Sequence, residues 1–135
     1  MLIQKCKSLT FIILMFVESI VSGQHTIDVK TLLPDTSFEN IHVKKLYSDT
    51  NSTSFLIWVK SDVKSHKHVT HTETIQIIEG NALMTIEDKI FEIKENDFFV
   101  IPQNTFHSVK VTSTTPLKLI SIQSPIFDGS DRIFE

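Results

Sequence analysis

Residues 65–80 read SHKHVTHTETIQIIEG. Three histidines and a glutamate come first, then a β-branched run, a second glutamate and one of the chain's three glycines. His66 and His68 are separated by one residue. Alternate side chains of a strand share a face, so both imidazoles can point the same way. Glu73 follows five residues after His68. A short turn over 69–72, joining two antiparallel strands, would return Glu73 to that face. The same parity continues through Ile75 and Ile77. A carboxylate followed by two apolar residues is the pattern of an interior surface with a polar mouth.

Outward from this stretch the texture stays β. The segments IHVKKLY, SFLIWVK, TIQIIEG, ALMTIED, KIFEIKEND, FFVIPQN, HSVKVTS and LKLISIQS mostly have apolar or alternating centres. Most are bounded by Gly, Asn, Asp, Ser or Pro. Seven to nine short strands, with no segment of helical period between them, predict an all-β sandwich or barrel. Residues 24–40 read as an N-terminal arm with one helical turn, and SPIFDGSDRIFE at 124–135 as a tail covering a sheet edge or a neighbouring subunit.

The bounds are narrow. A chain of 135 residues suits one domain. Hydrophobic content of 41% and charged content of 21% are ordinary for a globular protein. The formal charge of −3, without a long run of either sign, offers no electrostatic footprint for nucleic acid. Lys5 and Lys7 precede an apolar run from Leu9 to Val17, and Val21, Ser22 and Gly23 follow as small residues. This is the order of a secretory signal peptide over 1–23. Nine apolar residues ending at Glu18 are too few to span a bilayer comfortably. The expected mature chain is therefore secreted or periplasmic, has no membrane contact after cleavage, and loses its one cysteine, Cys6, with the signal. It must rest on its core, a metal or a partner subunit rather than on disulfides.

A second block, NDFFVIPQNTFHSVKV at 96–111, contains His107. Pro102 should end a strand because it cannot donate to a ladder. PQNT reads as a tight turn, with His107 opening the next strand. Asn96 and Asn104 stand where glycines would be the default, and Asn tolerates positive φ well. Three imidazoles and one carboxylate make a mixed nitrogen and oxygen donor set suited to Mn, Fe, Zn, Ni or Cu. Taken alone, His66 and His68 are better read as surface histidines on an edge loop.

The two blocks together resemble the two motifs of the cupin superfamily. The first motif has a glycine, five residues, H-x-H, three or four residues, Glu, six residues and Gly. His66, His68, Glu73 and Gly80 fill it, with Lys60 in place of the leading glycine. The second has a glycine, five residues, P-x-G, two residues, His, three residues and Asn. Asn96, Pro102, Asn104, His107 and Val111 keep its spacing, with Asn for both glycines and Val for the last Asn. The segment 81–95 between them is the short kind of small bacterial-type single-domain cupins. The resemblance covers roughly residues 41–124 and implies a single jelly-roll barrel (double-stranded β-helix) over 41–135. It implies a divalent transition metal on His66, His68, Glu73 and His107, and a homodimer through exchange of terminal strands.

The expected function is metal-dependent action on, or binding of, a small polar ligand, such as a sugar-derived or carboxylate compound. A non-catalytic ligand-binding or structural module is the rival, and a uronate ring-opening or sugar-isomerase-like activity a further one. No acid or base catalyst is assigned by the sequence. His71, in the turn before Glu73, is expected at the rim or in solvent, where it could carry protons. Trp58, Phe98 and Phe99 are expected in the core, and His42 on the surface. There is no G-x-S-x-G nucleophile motif, and three glycines cannot build a phosphate loop.

Overall fold

The β-branched and aromatic runs become strands. The structure is a computed structural model and describes residues 26–135. The signal-peptide reading of 1–23 lies outside the described residues. The strands are β1 (Ile41–Ser48), β2 (Thr53–Val59), β3 (Asp62–His68), β4 (Thr72–Glu79), β5 (Ala82–Ile86), β6 (Lys89–Ile93), β7 (Phe98–Ile101), β8 (His107–Val111), β9 (Leu117–Ser124) and β10 (Arg132–Phe134). They form two five-stranded antiparallel sheets, ordered β1-β2-β9-β4-β7 and β10-β3-β8-β5-β6. No helix occurs among the described residues. This is the single jelly-roll barrel expected.

Period-two alternation sorts the side chains. On β4 the buried series runs Glu73, Ile75, Ile77, as the parity required. Ile75 and Ile77 pack with Val59, Ile101, Leu117 and Leu119 of their own sheet and with Met84 and Ile93 of the other in one continuous core. Each such side chain contributes about 1.5–3 kcal/mol when removed from water.

One expected connection is different. β3 and β4 do not form a hairpin; β4 pairs with β7 and β9, while β3 pairs with β8 and β10. The link at 69–71 crosses from one sheet to the other. Glu73 therefore meets the histidines across the barrel rather than along one sheet.

The turns explain the missing glycines. Asn96 and Asn104 have φ of 74° and 58°, the left-handed region in which Asn is tolerated. Among the described residues Glu87, at 52°, is the other non-glycine with positive φ, so Lys60 needs no glycine. Gly80 does: its φ is 86°, and a Cβ would lie 2.9 Å from the Pro116 carbonyl oxygen.

The arm contains a turn at 29–31 rather than a helix. It lies over the outer face of the first sheet, where Lys118 Nζ donates to the Lys30 and Leu32 carbonyls at 2.9 and 2.7 Å. Trp58 is buried there. His42 is not fully on the surface, because its ring sits between Phe38 and Trp58 at 5.6 and 5.5 Å. Phe98 departs from expectation more sharply. It is 64% exposed, because β7 is an edge strand and Phe98 has the outward parity. Phe99 faces in and packs on the core. The tail does cover an edge: β10 pairs with β3, setting Arg132 opposite His68 and Phe134 opposite His66.

Candidate metal centre

His66 and His68 stand on β3, and His107 opens β8 directly opposite His66. All three are buried, and each offers one ring nitrogen within 4.8 Å of the others. Glu73, 6% exposed, reaches them from the other sheet. Its Oε2 lies 3.3 Å from His107 Nε2 and 3.9 Å from His68 Nε2. The structure thus brings all four sequence-selected residues to one place.

The outer contacts decide which nitrogens are free. His66 Nδ1 donates to the Lys64 carbonyl at 2.8 Å, and His107 Nδ1 to the Thr105 carbonyl at 3.0 Å. His68 Nδ1 donates to Asp131 Oδ1 at 3.2 Å. With the proton on Nδ1, the lone pair of each ring is on Nε2. His68 Nε2 is buried without a hydrogen-bond partner. His107 Nε2 faces a carboxylate oxygen, so the two need a proton or a metal ion between them. Imidazoles oriented by oxygens behind them are what metal ligation requires. The residues present therefore fit a divalent transition metal.

Ionisation agrees. Burial, then the neighbouring His107, hold His66 down to about 4, so it is neutral at physiological pH. Burial lowers His68 as well, against the pull of Glu73 and Asp131. Burial opposes the charge on Glu73, but contacts with His107 and the Ser121 hydroxyl outweigh it and lower Glu73 to about 2. Ser121 Oγ donates a short hydrogen bond to Glu73 Oε1, and Gln123 Nε2 approaches the same oxygen at 3.3 Å.

His71 is not at the rim. It is 4% exposed and packs against Phe127. Its Nδ1 donates to Asp131 Oδ2, and its Nε2 donates to the Ile126 carbonyl at 2.6 Å. Burial depresses its basicity, but these two acceptors raise it further. With both nitrogens donating, His71 has no lone pair for a metal, although His68, His71 and Asp131 lie close together. Asp131 is the hub: it also accepts from Thr70 N at 3.1 Å and Thr70 Oγ1 at 2.9 Å. These bonds hold its carboxyl far below the usual range despite burial.

Behind the imidazoles lies a cavity of about 100 Å³. Aliphatic side chains such as Ile75, Met84, Ile93 and Leu119 make most of its wall. The polar lining is His66, Glu73, His107, Ser108, Gln123 and Arg132. The sequence reading missed Ser121, Gln123, Asp131 and Arg132. The alternation of Arg132 and Phe134 in the tail was the one available signal for an added strand.

The cupin domain family matches residues 55–123. A protein of Aquifex aeolicus is 31% identical over 108 residues, covering 78% of this chain and 88% of that protein. A mannose-1-phosphate guanylyltransferase of Salmonella muenchen is 33% identical over 113 residues, covering 82% of this chain but 23% of the enzyme. Among solved structures, a double-stranded β-helix protein of Klebsiella pneumoniae aligns with a TM-score of 0.69 and 14% identity, over 83% of this chain and 97% of that one. KdgF from a Halomonas species aligns at 0.64 and 19%, over 69% and 86%. At these identities the structural likenesses carry the fold alone.

Proposed function

The chain belongs to the cupin domain family, and from that premise we propose that it holds one divalent transition metal and binds a small polar ligand there. The observation that carries this reading is the unpartnered Nε2 of His68, buried beside the nitrogens of His66 and His107 and the Glu73 carboxylate. His66, His68, Glu73 and His107 would hold the ion. Bound there, a divalent ion would polarise a ligand oxygen as a Lewis acid.

The chain's own residues do the rest. Lys64, Thr105 and Asp131 fix the imidazole tautomers from behind. Ser121 and Gln123 hold Glu73 ionised and aimed inward. The aliphatic wall excludes water. A cavity of about 100 Å³ is small; pockets for drug-sized ligands run to roughly 300–1,000 Å³. Only a compact head group would enter, with any larger body of the ligand outside the mouth.

The lining favours binding over acid–base catalysis. Its titratable groups are His66, Glu73, His107 and Arg132. Three of these are the candidate ligands, and arginine does not give up a proton in proteins. The uronate ring-opening and sugar-isomerase readings need such a group. Turnover of a uronate or ketose panel by the metal-loaded protein would reinstate them. Export and homodimerisation complete the proposal: the first rests on residues 1–23, the second on the exposed β1 edge, with Ile41 and Val43, and the terminal arm.

The test is elemental analysis of protein purified without an affinity tag. About one transition-metal ion per chain is expected. Metal-free protein that takes up none of Mn, Fe, Co, Ni, Cu or Zn on dialysis overturns the reading.

A further inference from the structure

We propose that β10 makes the site a reader of small 2-hydroxy acids, with Arg132 taking the ligand's carboxylate and Gln123 accepting from its hydroxyl. The inference rests on the metal-centre reading and names the ligand class for it.

The register places the arginine. Arg132 pairs with His68 across the β3–β10 ladder, and directly opposed residues share a face. Its side chain therefore stands on the metal-bearing face and lines the cavity. Phe134, paired with His66, lies on the same side, with its ring 5.8 Å from that imidazole. Arg132 makes no ion pair among the described residues. The nearest carboxylate in sequence, Asp131, already serves His68, His71 and Thr70. The guanidinium has only the Phe127 ring at 5.7 Å. An unneutralised fork of donors at a cavity mouth is the feature that recognises a carboxylate.

The amide supplies the second half. Gln123 is 2% exposed and lines the same cavity. Its nitrogen is committed to Glu73 Oε1 and Ser121 Oγ at 3.3 and 3.4 Å. Its Oε1 is buried without a donor. A buried acceptor without a partner is costly, and a ligand hydroxyl would relieve it. The charge balance points the same way. A divalent ion held through the lone pairs of three imidazoles would be offset by one carboxylate, Glu73, so the occupied site would be cationic even before Arg132 is counted. An anion with an adjacent hydroxyl matches both groups, and its small head suits the small cavity. The arginine lies beyond the residues matched to the family, 55–123, so this device belongs to the tail of this chain.

Calorimetric titration of the metal-loaded chain tests it. The probes are glycolate, lactate and gluconate, against the neutral ethylene glycol, propane-1,2-diol and glucitol. At least one hydroxy acid is expected to bind about tenfold or more tightly than its neutral counterpart. Arg132→Gln should erase that margin, and Arg132→Lys should keep part of it. Both should retain the metal content and melting temperature of the parent. Gln123→Met should weaken the hydroxy acid relative to acetate or propionate. Metal-loaded chain that binds no hydroxy acid better than its neutral counterpart overturns this inference and leaves the metal centre standing. An unchanged margin in Arg132→Gln overturns it equally. A chain that takes up no metal overturns the metal reading, and this one with it.

Discussion

Two histidine clusters share His68 and behave oppositely. In the first, His66, His68 and His107 each spend Nδ1 on an oxygen behind the ring and turn Nε2 towards the shared site, where His68 Nε2 has no partner and His107 Nε2 faces Glu73 Oε2 at 3.3 Å. Burial and neighbouring imidazoles hold His66 neutral, down to about 4. In the second, His71 spends both nitrogens, on Asp131 and the Ile126 carbonyl, and those acceptors raise its basicity above burial's opposing pull. The same side-chain type is thus a neutral donor of a lone pair in one cluster and a charged clasp in the other. What separates His71 from His66 and His68 is the second acceptor that its Nε2 meets, the Ile126 carbonyl.

The largest effect should come from the first cluster. The double variant His66→Ala, His107→Ala removes two of the three imidazoles. Elemental analysis should find most bound metal lost, while His71→Ala keeps it. Equal metal content in both would break the comparison.

Acid should act next. The folded His66 resists a proton that the unfolded chain accepts from about pH 6.5 downward, so its contribution is present above that and lost towards about pH 4. Glu73 is depressed from 4.5 to about 2, so its contribution is present above about pH 4.5 and lost as pH falls towards 2. Urea denaturation of the metal-stripped chain should therefore show stability declining through both windows. A variant His66→Ala should show a weaker decline in the upper one, with His68, also lowered by burial, supplying the remainder.

Asp131 joins the clusters, and its loss should be felt in both. Asp131→Ala frees the His68 tautomer and removes the acceptor of His71 and Thr70. Loss of an outer partner of a metal ligand costs about 10–100-fold in metal affinity. Stability should also fall by about 2–3 kcal/mol, since the lost bonds are charge-assisted. Competition with a chelating indicator reads the first and urea midpoints the second. Retained affinity with reduced stability would make Asp131 part of the clasp alone.

The first cluster was legible because its residues obey local periods. Parity along β4 puts Glu73, Ile75 and Ile77 on one face, and the resemblance of the two blocks to the cupin motifs implies His66, His68, Glu73 and His107. Asn96 and Asn104 were legible because positive φ narrows the choice of residue. The β3–β4 link was misread, because a three-residue link serves a hairpin or a crossing between sheets equally well. Phe98 was misplaced because edge position is set by strand order, which β7 does not encode. The second cluster could not be read. Asp131 lies 60 residues from His71 in sequence, and only the docking of β10 brings them together. His71 looked like a solvent-facing turn residue because its partners were unknown.

His71→Ala should be the mildest change and the most informative about the difference between the clusters. It leaves Asp131 its bonds to His68 and Thr70, so metal content should hold and stability should fall by about 1–2 kcal/mol. The pH dependence carries the sign. A group whose folded pKa is raised contributes fully below its unfolded value, about 6.5, and loses that contribution as pH climbs through the folded value. The gap in urea midpoint between parent and variant, both metal-stripped, should therefore be widest below about pH 6.5 and narrow as pH climbs above it. His66 predicts the reverse trend, with its stabilisation gained as pH rises. A gap that is flat across this range would mean that His71 is neutral in the fold. One of its nitrogens would then be free after all, and the boundary between ligand and clasp would have to be redrawn at His71.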